Sequence, residues 1–285
     1  MAVDLAECCE RSIWISVICM TRIPVLTIGD LRPGQLEATD LSWNGCEVTR
    51  VVDVPAAIRH LRESASSPAV VLIAQAWPGQ VAARDVHRLR ELAPLARIWV
   101  VGGTWSEGEA RSGAPVLAAL RSYWHQWPAR WSHELSTDPL ADCRLPVSAS
   151  QEERLLHRSS LRLPRVDELV VIDAQSAETA AAMGDACRAL GCAWVWRRGE
   201  VAMVEGASVV LWDATASQLE DEPLARRRVA EAQPAPVVAV TSFPRPETHR
   251  AAQRAGVAGL VSKPYLLEDL AYQIGRAMAA VPVVC

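Results

Sequence analysis

Residues 236–265 read PVVAVTSFPRPETHRAAQRAGVAGLVSKPY. This stretch predicts a strand that ends in Thr241 and then a helix that begins at Pro246. The helix is predicted to end before Gly256, because proline favours the first helical turn and glycine the position after the last. A second strand is predicted directly before Lys263. A strand, a helix and a strand in this order are typical of a parallel sheet, whose neighbouring strands need a crossover connection.

The same alternation of strand and helix patterns extends over 167–279. Apolar runs predict three more strands in this half, at 168–172, 193–196 and 207–212. Fully apolar strands that alternate with helices are typical of a parallel sheet covered by helices on both faces. The predicted fold class is therefore α/β, with a flavodoxin-like (βα)5 doubly wound sheet in the second half.

Polar residues end or follow four of these strands, namely Asp173, Asp213, Thr241 and Lys263. In a doubly wound sheet, ligands and chemistry gather at the carboxyl ends of the strands. We therefore expect these four side chains to converge at one edge of the sheet. Lys263 is also the only lysine of the chain, whose other basic side chains are 28 arginines. Because the chain uses arginine for nearly every other cation, a lysine at position 263 indicates that a compact ammonium is needed there and that a planar guanidinium does not fit.

Some of these residues also have a purely structural interpretation. An aspartate at a strand end often caps the following helix, which is the alternative for Asp173. Thr241 is alternatively a buried β-branched residue of its strand. His125, in the run Tyr-Trp-His-Gln-Trp, is interpreted as a packed or interfacial histidine rather than a catalytic one, because no nucleophile is paired with it.

The first half shows the same alternation of strand and helix patterns, but less clearly. Strands are predicted at 23–28, 47–52, 69–74 and 96–101. With the two halves aligned, Gln75 occupies the position of Asp213, and no lysine matches Lys263. Gly102 occupies the position of Thr241 in this alignment. The first half therefore predicts the same fold without the polar set of the second.

The alternation stops after Gly103, and a segment rich in tryptophan follows. This segment, 105–131, contains Trp105, Trp124, Trp127 and Trp131. Tryptophan is enriched at protein interfaces, and it equally fills the core of a domain that lacks phenylalanine. Both interpretations stay open at this stage.

These patterns divide the chain into four predicted parts. They are an N-terminal extension at 1–21, a first α/β domain with a Trp-rich end at 22–135, a linker at 136–166 and a second α/β domain at 167–285. The linker is predicted from its prolines, serines and mixed charges.

The second half resembles the receiver domain of response regulators. The resemblance covers about 167–280, and Val-Val-Ala-Val-Thr241, Gly256-Val-Ala-Gly259 and Lys263-Pro264 have the order and spacing of the family. It implies a (βα)5 fold that accepts a phosphoryl group on an aspartate at the end of the third strand. The first half then resembles a degenerate receiver without phosphorylation chemistry, because Gln75 stands where the acceptor would be.

The resemblance also implies roles for the strand-end residues. Asp213 would be the phosphoryl acceptor, and the Thr241 hydroxyl and the Lys263 ammonium would contact phosphoryl oxygens. Asp173 and Asp213 would hold a Mg²⁺ ion, which neutralises charge on those oxygens. The peptide bond between Lys263 and Pro264 is expected to be cis.

Three departures from the family weaken the expected chemistry. Ala174 stands where the family has a second acid after Asp173, so we expect weak Mg²⁺ binding. The Met-Pro pair that follows the acceptor in the family is absent after Asp213. Leu260 replaces the aromatic residue of the fifth strand. We therefore expect weak phosphorylation of the second domain or none.

Composition narrows the classes of function. The net charge is −4 and no basic tail is present, so nucleic-acid binding is not expected, and Arg226, Arg227 and Arg228 are assigned to a solvated helix face. The eight cysteines lack the spacing of a zinc site. The apolar segment 13–20 is too short to span a bilayer and lacks the basic start of a signal peptide. We expect a cytoplasmic protein that does not act at a membrane.

The sequence thus favours a signalling or scaffold protein, not an enzyme, that acts through protein–protein contacts of its receiver-like domains. A histidine kinase or another regulator is the expected class of partner. One alternative is a phosphorylatable response regulator with Asp213 as acceptor. The other is an α/β enzyme or small-ligand-binding protein that uses the same strand ends. The sequence contains no Gly-x-Gly-x-x-Gly and no P-loop, which argues against a nucleotide site.

Overall fold

The computed structural model of the chain describes most of the two predicted α/β halves. The described residues are 22–30, 43, 45–109, 113, 119–136, 153, 167–198 and 204–280. The predicted extension at 1–21 lies outside them, and so does nearly all of the predicted linker at 136–166. The predicted limits of the domains stay predictions.

Five strands form the first sheet: β1 (Ile23–Ile28), β2 (Cys46–Val51), β3 (Val70–Gln75), β4 (Arg97–Gly102) and β5 (Leu120–Tyr123). They are all parallel and lie in the order β2-β1-β3-β4-β5. The central strand β3 is buried along its whole length, as its continuous apolar sequence requires.

The described residues of this first domain form three α-helices: α1 (Val54–Glu63), α2 (Ala83–Leu92) and α3 (Trp127–Ser136). Local signals fix the start of α1, because the Asp53 carboxylate accepts a hydrogen bond from the Ala56 backbone N–H at 2.8 Å. In α2, Val86 and Leu89 are fully buried in the core that also holds β1, β3 and β4. The crossover helices α1 and α2 therefore cover the sheet.

The second sheet also has five parallel strands: β6 (Leu169–Asp173), β7 (Ala193–Arg197), β8 (Val209–Asp213), β9 (Val237–Ser242) and β10 (Gly259–Lys263). They lie in the order β10-β9-β8-β6-β7, which is the order of the first sheet read from the opposite edge. The carboxyl ends of all five strands meet at one edge, since parallel strands run in the same direction.

Five helices connect or follow these strands: α4 (Ala177–Ala189), α5 (Ala216–Glu220), α6 (Glu222–Ala232), α7 (Pro246–Arg254) and α8 (Leu267–Ala279). Ser176 caps α4 by accepting a hydrogen bond from the Thr179 backbone N–H. Pro246 begins α7 as predicted, and Gly256 follows its end with a φ of +91°, which glycine adopts without a steric cost.

The predicted fold class is confirmed, because both halves are α/β domains with the same strand order. One strand of the first half, β5, was not predicted and lies inside the Trp-rich segment. It is the edge strand of its sheet and is mostly only partly buried. It therefore lacks the continuous apolar run from which the other strands were predicted.

The tryptophans of this segment divide between core and surface. Trp124, Trp127 and Trp131 are buried in one cluster with residues of β1, β3 and β4, so they fill the core. Trp105 is exposed and stacks on the exposed Trp77, with ring centroids 5.9 Å apart. Trp77 and Trp105 follow β3 and β4, respectively, at the carboxyl edge of the first sheet.

The two domains contact each other through α3 and α8. Arg130 Nη2 lies 3.0 Å from Asp269 Oδ1, and Arg130 Nη1 donates a hydrogen bond of 3.3 Å to Glu268. The Trp124 ring meets the His249 ring edge-on, with centroids 5.7 Å apart. Arg130 and Asp269 are both buried, so a weakly screened ion pair joins the domains.

No helix in the described part of the chain combines the length and apolarity that crossing a membrane requires.

Candidate functional site

The carboxyl edge of the second sheet brings the predicted polar residues together. Asp173, Asp213 and Lys263 are the last residues of β6, β8 and β10, and Thr241 is the penultimate residue of β9. Lys263 Nζ donates a short hydrogen bond to Asp213 Oδ1. The side chains of Lys263 and Asp213 are 32% and 19% exposed, so the pair is partly open to solvent. The predicted contact between this lysine and this aspartate is confirmed.

One further expectation at this edge is confirmed by geometry. The peptide bond between Lys263 and Pro264 is cis. Thr241 is fully buried, and its hydroxyl has no hydrogen-bond partner among the residues that the structure describes. This burial agrees with the alternative interpretation of Thr241 as a buried β-branched residue of its strand, and the contact of its hydroxyl with a phosphoryl oxygen stays a prediction.

Asp173 is not a helix cap, because Ser176 caps the following helix α4. Its carboxylate instead accepts a hydrogen bond of 3.1 Å from Nη1 of Arg197. Arg197 ends β7, and the pairing of β6 with β7 places it directly opposite Asp173. Both side chains are buried, since that of Arg197 is 4% exposed and that of Asp173 is 10% exposed. The sequence interpretation of Asp173 as an open magnesium ligand did not anticipate this partner.

A second arginine and a second acid complete the cluster. Arg228 Nη1, from α6, lies 3.8 Å from Asp173 Oδ2. Glu231 accepts hydrogen bonds from Arg197 at 3.1 Å and from Arg228 at 3.3 Å. The assignment of all three consecutive arginines to a solvated helix face is therefore wrong for Arg228, whereas Arg226 and Arg227 are exposed.

Burial and charge act in opposite directions on the two acids of this cluster. Burial raises the pKa of Asp173 above its ordinary value, although the charges of Arg197 and Arg228 pull it down. Burial acts in the same sense on Glu231, but there the hydrogen bond from Arg197 and the charge of Arg228 prevail and lower the pKa. The difference follows from depth, because Glu231 lies nearer to solvent.

The donor set fits Mg²⁺ poorly. Mg²⁺ requires near-octahedral oxygen ligands, and this edge offers the carboxylates of Asp173 and Asp213 with Ala174 beside them. Each of these carboxylates is already paired with a cationic side chain. Across the described ranges, no group of three or more His, Cys, Asp or Glu side chains is placed to hold a metal ion. No step of the function proposed below uses a metal.

A search at the strand ends would have found Arg197 but not Arg228. Arg197 directly follows the run 193–196 that was predicted as a strand, so the rule applied to Asp173 and Asp213 applies to it as well. Arg228 lies in the middle of α6, and its direction depends on how that helix rotates against the sheet. No signal in the sequence reports that rotation.

The carboxyl edge of the first sheet has a different polar network. Gln75 ends β3 and is fully buried, and its Nε2 donates hydrogen bonds of 3.0 Å to both oxygens of Glu109. Glu109 also accepts from the Gly79 backbone N–H at 2.9 Å and from the Arg121 guanidinium. Burial opposes ionisation, yet these donors hold the pKa of Glu109 below its usual value. The network is thus an ion pair whose carboxylate is buried and accepts further hydrogen bonds from an amide.

Strand register corrects one part of the alignment between the two halves. Asp213 pairs with Val240 and Gln75 pairs with Gly102, so Gly102 corresponds to Val240. The position of Thr241 is therefore occupied by Gly103 in the first domain, and not by Gly102. The difference is one residue, which an alignment by apolar runs alone does not resolve.

The same register identifies the counterparts of the two outer site residues. Gly29 corresponds to Asp173, because Asp173 pairs with Trp212, one residue before Asp213. His125 corresponds to Lys263, and its Nε2 lies 3.3 Å from Glu107 Oε1. His125 also packs edge-on against Trp124, in agreement with its interpretation as a packed histidine.

Comparison with solved structures finds response regulators among the similar chains. A response regulator from Thermotoga maritima shares 18% identity with a TM-score of 0.35, over 40% of this chain and all of its own. The C-terminal part of E. coli RcsC, which contains a linker region and a phosphoreceiver domain, shares 14% identity with a TM-score of 0.32, over 92% of this chain and 94% of its own. A probable two-component system response regulator/GGDEF domain protein shares 11% identity with a TM-score of 0.34, over 90% of this chain and 98% of its own.

No protein-family model matches the sequence, and no curated protein matches it. At these identities and TM-scores, the likeness to receiver domains does not assign the chain to a family. The fold class rests on the two strand orders described above.

Proposed function

We propose that this protein is a signalling or scaffold protein that acts by protein–protein contact through two receiver-like domains. It exchanges phosphoryl groups slowly or not at all, and it is not an enzyme. A cytoplasmic location and a partner of the histidine-kinase or regulator class belong to the same proposal.

The observation that carries this proposal is the internal pairing of charge at both carboxyl edges. In the second domain, the carboxylate that would attack phosphorus, that of Asp213, is paired with Lys263. In the first domain, the equivalent position is the uncharged Gln75, whose amide braces the Glu109 carboxylate. A nucleophile must be free and a neutralising cation must be near for phosphoryl transfer to proceed. Neither edge offers both.

The exposed stack of Trp77 and Trp105 supports a role in protein contact. Large aromatic side chains are frequent among the residues that contribute most to protein interfaces. Leaving two of them stacked in solvent at the carboxyl edge of the first sheet has no evident benefit for folding. This edge is therefore the part of the first domain that we assign to partner contact.

The alternative of a phosphorylatable second domain has its own support. The Asp213 carboxylate is 19% exposed, and the Thr241 hydroxyl has no partner among the described residues. The exposure of Asp213 suits a group that arrives from solvent, and a hydroxyl without a partner suits a group that brings oxygen atoms. This alternative differs from the main proposal in one respect only, namely how readily the ion pair between Lys263 and Asp213 breaks when such a group binds.

Beryllofluoride distinguishes the two, because it mimics a phosphoryl group bound to an aspartate. Wild-type protein would be mixed with beryllofluoride and Mg²⁺ and followed by 19F NMR, with Asp213→Asn as the control. We expect no protein-bound resonance in either sample. A saturable bound resonance that disappears in Asp213→Asn would support the phosphorylatable alternative. A small molecule that co-purifies with the protein and occupies this edge would support the enzyme or ligand-binding alternative.

A further inference from the structure

Two arginines of the second domain, Arg197 and Arg228, lie beside Asp173 and contact neither Asp213 nor Lys263 in the described ion pairs. Arg197 ends β7 opposite Asp173, and the pairing of the two strands sets both residues at the same level of the sheet. The Arg197 side chain is 4% exposed, and its Nη1 lies 3.1 Å from Asp173 Oδ2. A charged pair in register at two buried strand ends is a fixed part of the sheet, not a flexible surface contact.

The second arginine, Arg228, approaches the same Asp173 oxygen from a helix rather than from the sheet. Arg228 extends from α6, and its Nη1 lies 3.8 Å from Asp173 Oδ2. Glu231, three residues later on that helix, accepts hydrogen bonds from Arg228 and from Arg197. The cluster thus contains two positive and two negative groups from β6, β7 and α6. Its charges balance without any added ion.

A divalent cation would have to use the same carboxylate. Mg²⁺ binds carboxylate and water oxygens and tolerates little distortion of its octahedral geometry. Ala174 supplies no oxygen, and Asp173 Oδ2 already has two guanidinium neighbours. A further positive charge here would be repelled by both arginines in a buried region where screening is weak.

We propose that the guanidinium groups of Arg197 and Arg228 take the place of a divalent cation beside Asp173, so that the pocket is neutralised without a metal. This inference rests on the proposed function, because it describes how the same receiver-like pocket is held at rest. The arginines cannot leave as a metal ion can, so the state of the pocket does not follow the concentration of Mg²⁺.

Mn²⁺ is the probe that tests the inference, since its free concentration is read directly by electron paramagnetic resonance. The wild type and Ala174→Asp, which restores the absent acid, would each be titrated with Mn²⁺ alone. Ala174→Asp would also be combined with Arg197→Gln and Arg228→Gln. We expect no bound Mn²⁺ in the wild type at millimolar metal and weak binding by Ala174→Asp. The triple variant should bind roughly tenfold more tightly than Ala174→Asp or better.

A matched control separates the cluster from general charge. Ala174→Asp with Arg226→Gln removes an arginine of the same helix that is exposed and pairs with Glu222, outside the cluster. It should bind Mn²⁺ no better than Ala174→Asp alone. If the triple variant does not fold, as judged by near-ultraviolet circular dichroism, Ala174→Asp with Arg228→Gln replaces it. A smaller gain is expected from that variant, because Arg197 remains.

Three results would overturn the inference. The first is Mn²⁺ binding by the wild type that Asp173→Asn abolishes. The second is an equal affinity of Ala174→Asp and of the variants that also lack the cluster arginines. The third is a gain from Arg226→Gln as large as that from removing the cluster arginines. Failure of the proposed function gives a different signature. Rapid labelling of Asp213 by acetyl phosphate in the presence of EDTA would contradict that function, while the metal-free pocket would stand.

Discussion

The two carboxyl edges of this molecule share one strand order and differ in how they hold charge. In the first domain, the buried Glu109 carboxylate pairs with the partly exposed Arg121 and accepts hydrogen bonds from the Gln75 amide. In the second domain, Asp213 and Lys263 form a pair that is partly open to water on both sides. The carboxylate of the first network is therefore closed off from water, while both partners of the second are accessible to an incoming group.

The difference extends to the backbone around each site. Gly29 of the first domain occupies the position of Asp173, with a φ of +87° that side chains other than glycine rarely adopt. A Cβ atom there would lie 3.3 Å from the Cβ of Ala74. The first domain thus could not regain an acid at this position without strain. The second domain keeps the acid and neutralises it with arginine.

The largest expected effect comes from placing the acceptor residue type in the first domain. Gln75→Asp would bring a carboxylate into a buried site beside Glu109 and remove the amide that donates to it. We expect a loss of about 3 to 5 kcal/mol in the free energy of unfolding, because the new charge has no partner. Urea unfolding measures this loss. Gln75→Asn, which shortens the side chain without adding charge, should lose clearly less, and equal losses would show that charge is not the cause.

The junction between the domains should rank next. Arg130→Met would leave Asp269 buried without its cation, at a cost of about 2 to 3 kcal/mol in urea unfolding. Burial already raises the pKa of Asp269 against the pull of Arg130, so removing the arginine should raise that pKa further. Glu268→Gln removes the more exposed partner and should cost less than about 1 kcal/mol. An Arg130→Met protein as stable as the wild type would contradict a fixed junction.

A pH effect at the same junction should be slightly smaller. Burial, and then the charges of Arg276 and His125, lower the pKa of His249 from 6.5 to about 4. The unfolded chain therefore binds a proton between these two pH values while the folded chain does not, so stability falls as the pH drops from about 6.5 towards 4. The loss from pH 7 to pH 5 should be about 2 kcal/mol greater for the wild type than for His249→Gln. Parallel pH profiles of the two proteins would contradict this assignment.

The smallest effect is expected at the pair that resembles an active site. Asp213→Asn removes the partner of Lys263, but both side chains are partly exposed. The change in the free energy of unfolding should stay within about 1 kcal/mol. If Asp213→Asn loses much less free energy of unfolding than Gln75→Asp in the same urea assay, the pair of Asp213 and Lys263 contributes little to stability. A loss as large as that of Gln75→Asp would mean that the pair serves the fold.

The sequence could predict what strand ends alone determine. Asp213 and Lys263 follow apolar runs, and parallel strands must end at the same edge, so their contact follows from the pattern of the chain. Arg197 could be found by the same rule. These cases need only the direction of the strands and the place where each run stops.

The rest depends on packing that no local pattern reports. Arg228 reaches Asp173 because of the rotation of α6, and Glu109 reaches Gln75 from a segment that follows a short 3-10 turn at Thr104–Ser106. The fifth strand of the first sheet was missed because an edge strand needs no continuous apolar run. Each of these features is set by contacts between elements that are distant in the sequence.

Labelling by acetyl phosphate tests the central claim most directly, namely that the pocket of the second domain is held at rest by its own ion pairs. Wild type, Asp213→Asn, Ala174→Asp and the variant that combines Ala174→Asp with Arg197→Gln and Arg228→Gln would be incubated with acetyl phosphate and Mg²⁺. Intact-protein mass spectrometry would then report the fraction that carries one phosphoryl group. We expect slow labelling of the wild type at most, a faster reaction after Ala174→Asp, and the fastest reaction in the combined variant. Rapid, stoichiometric labelling of the wild type that Asp213→Asn abolishes would contradict the account.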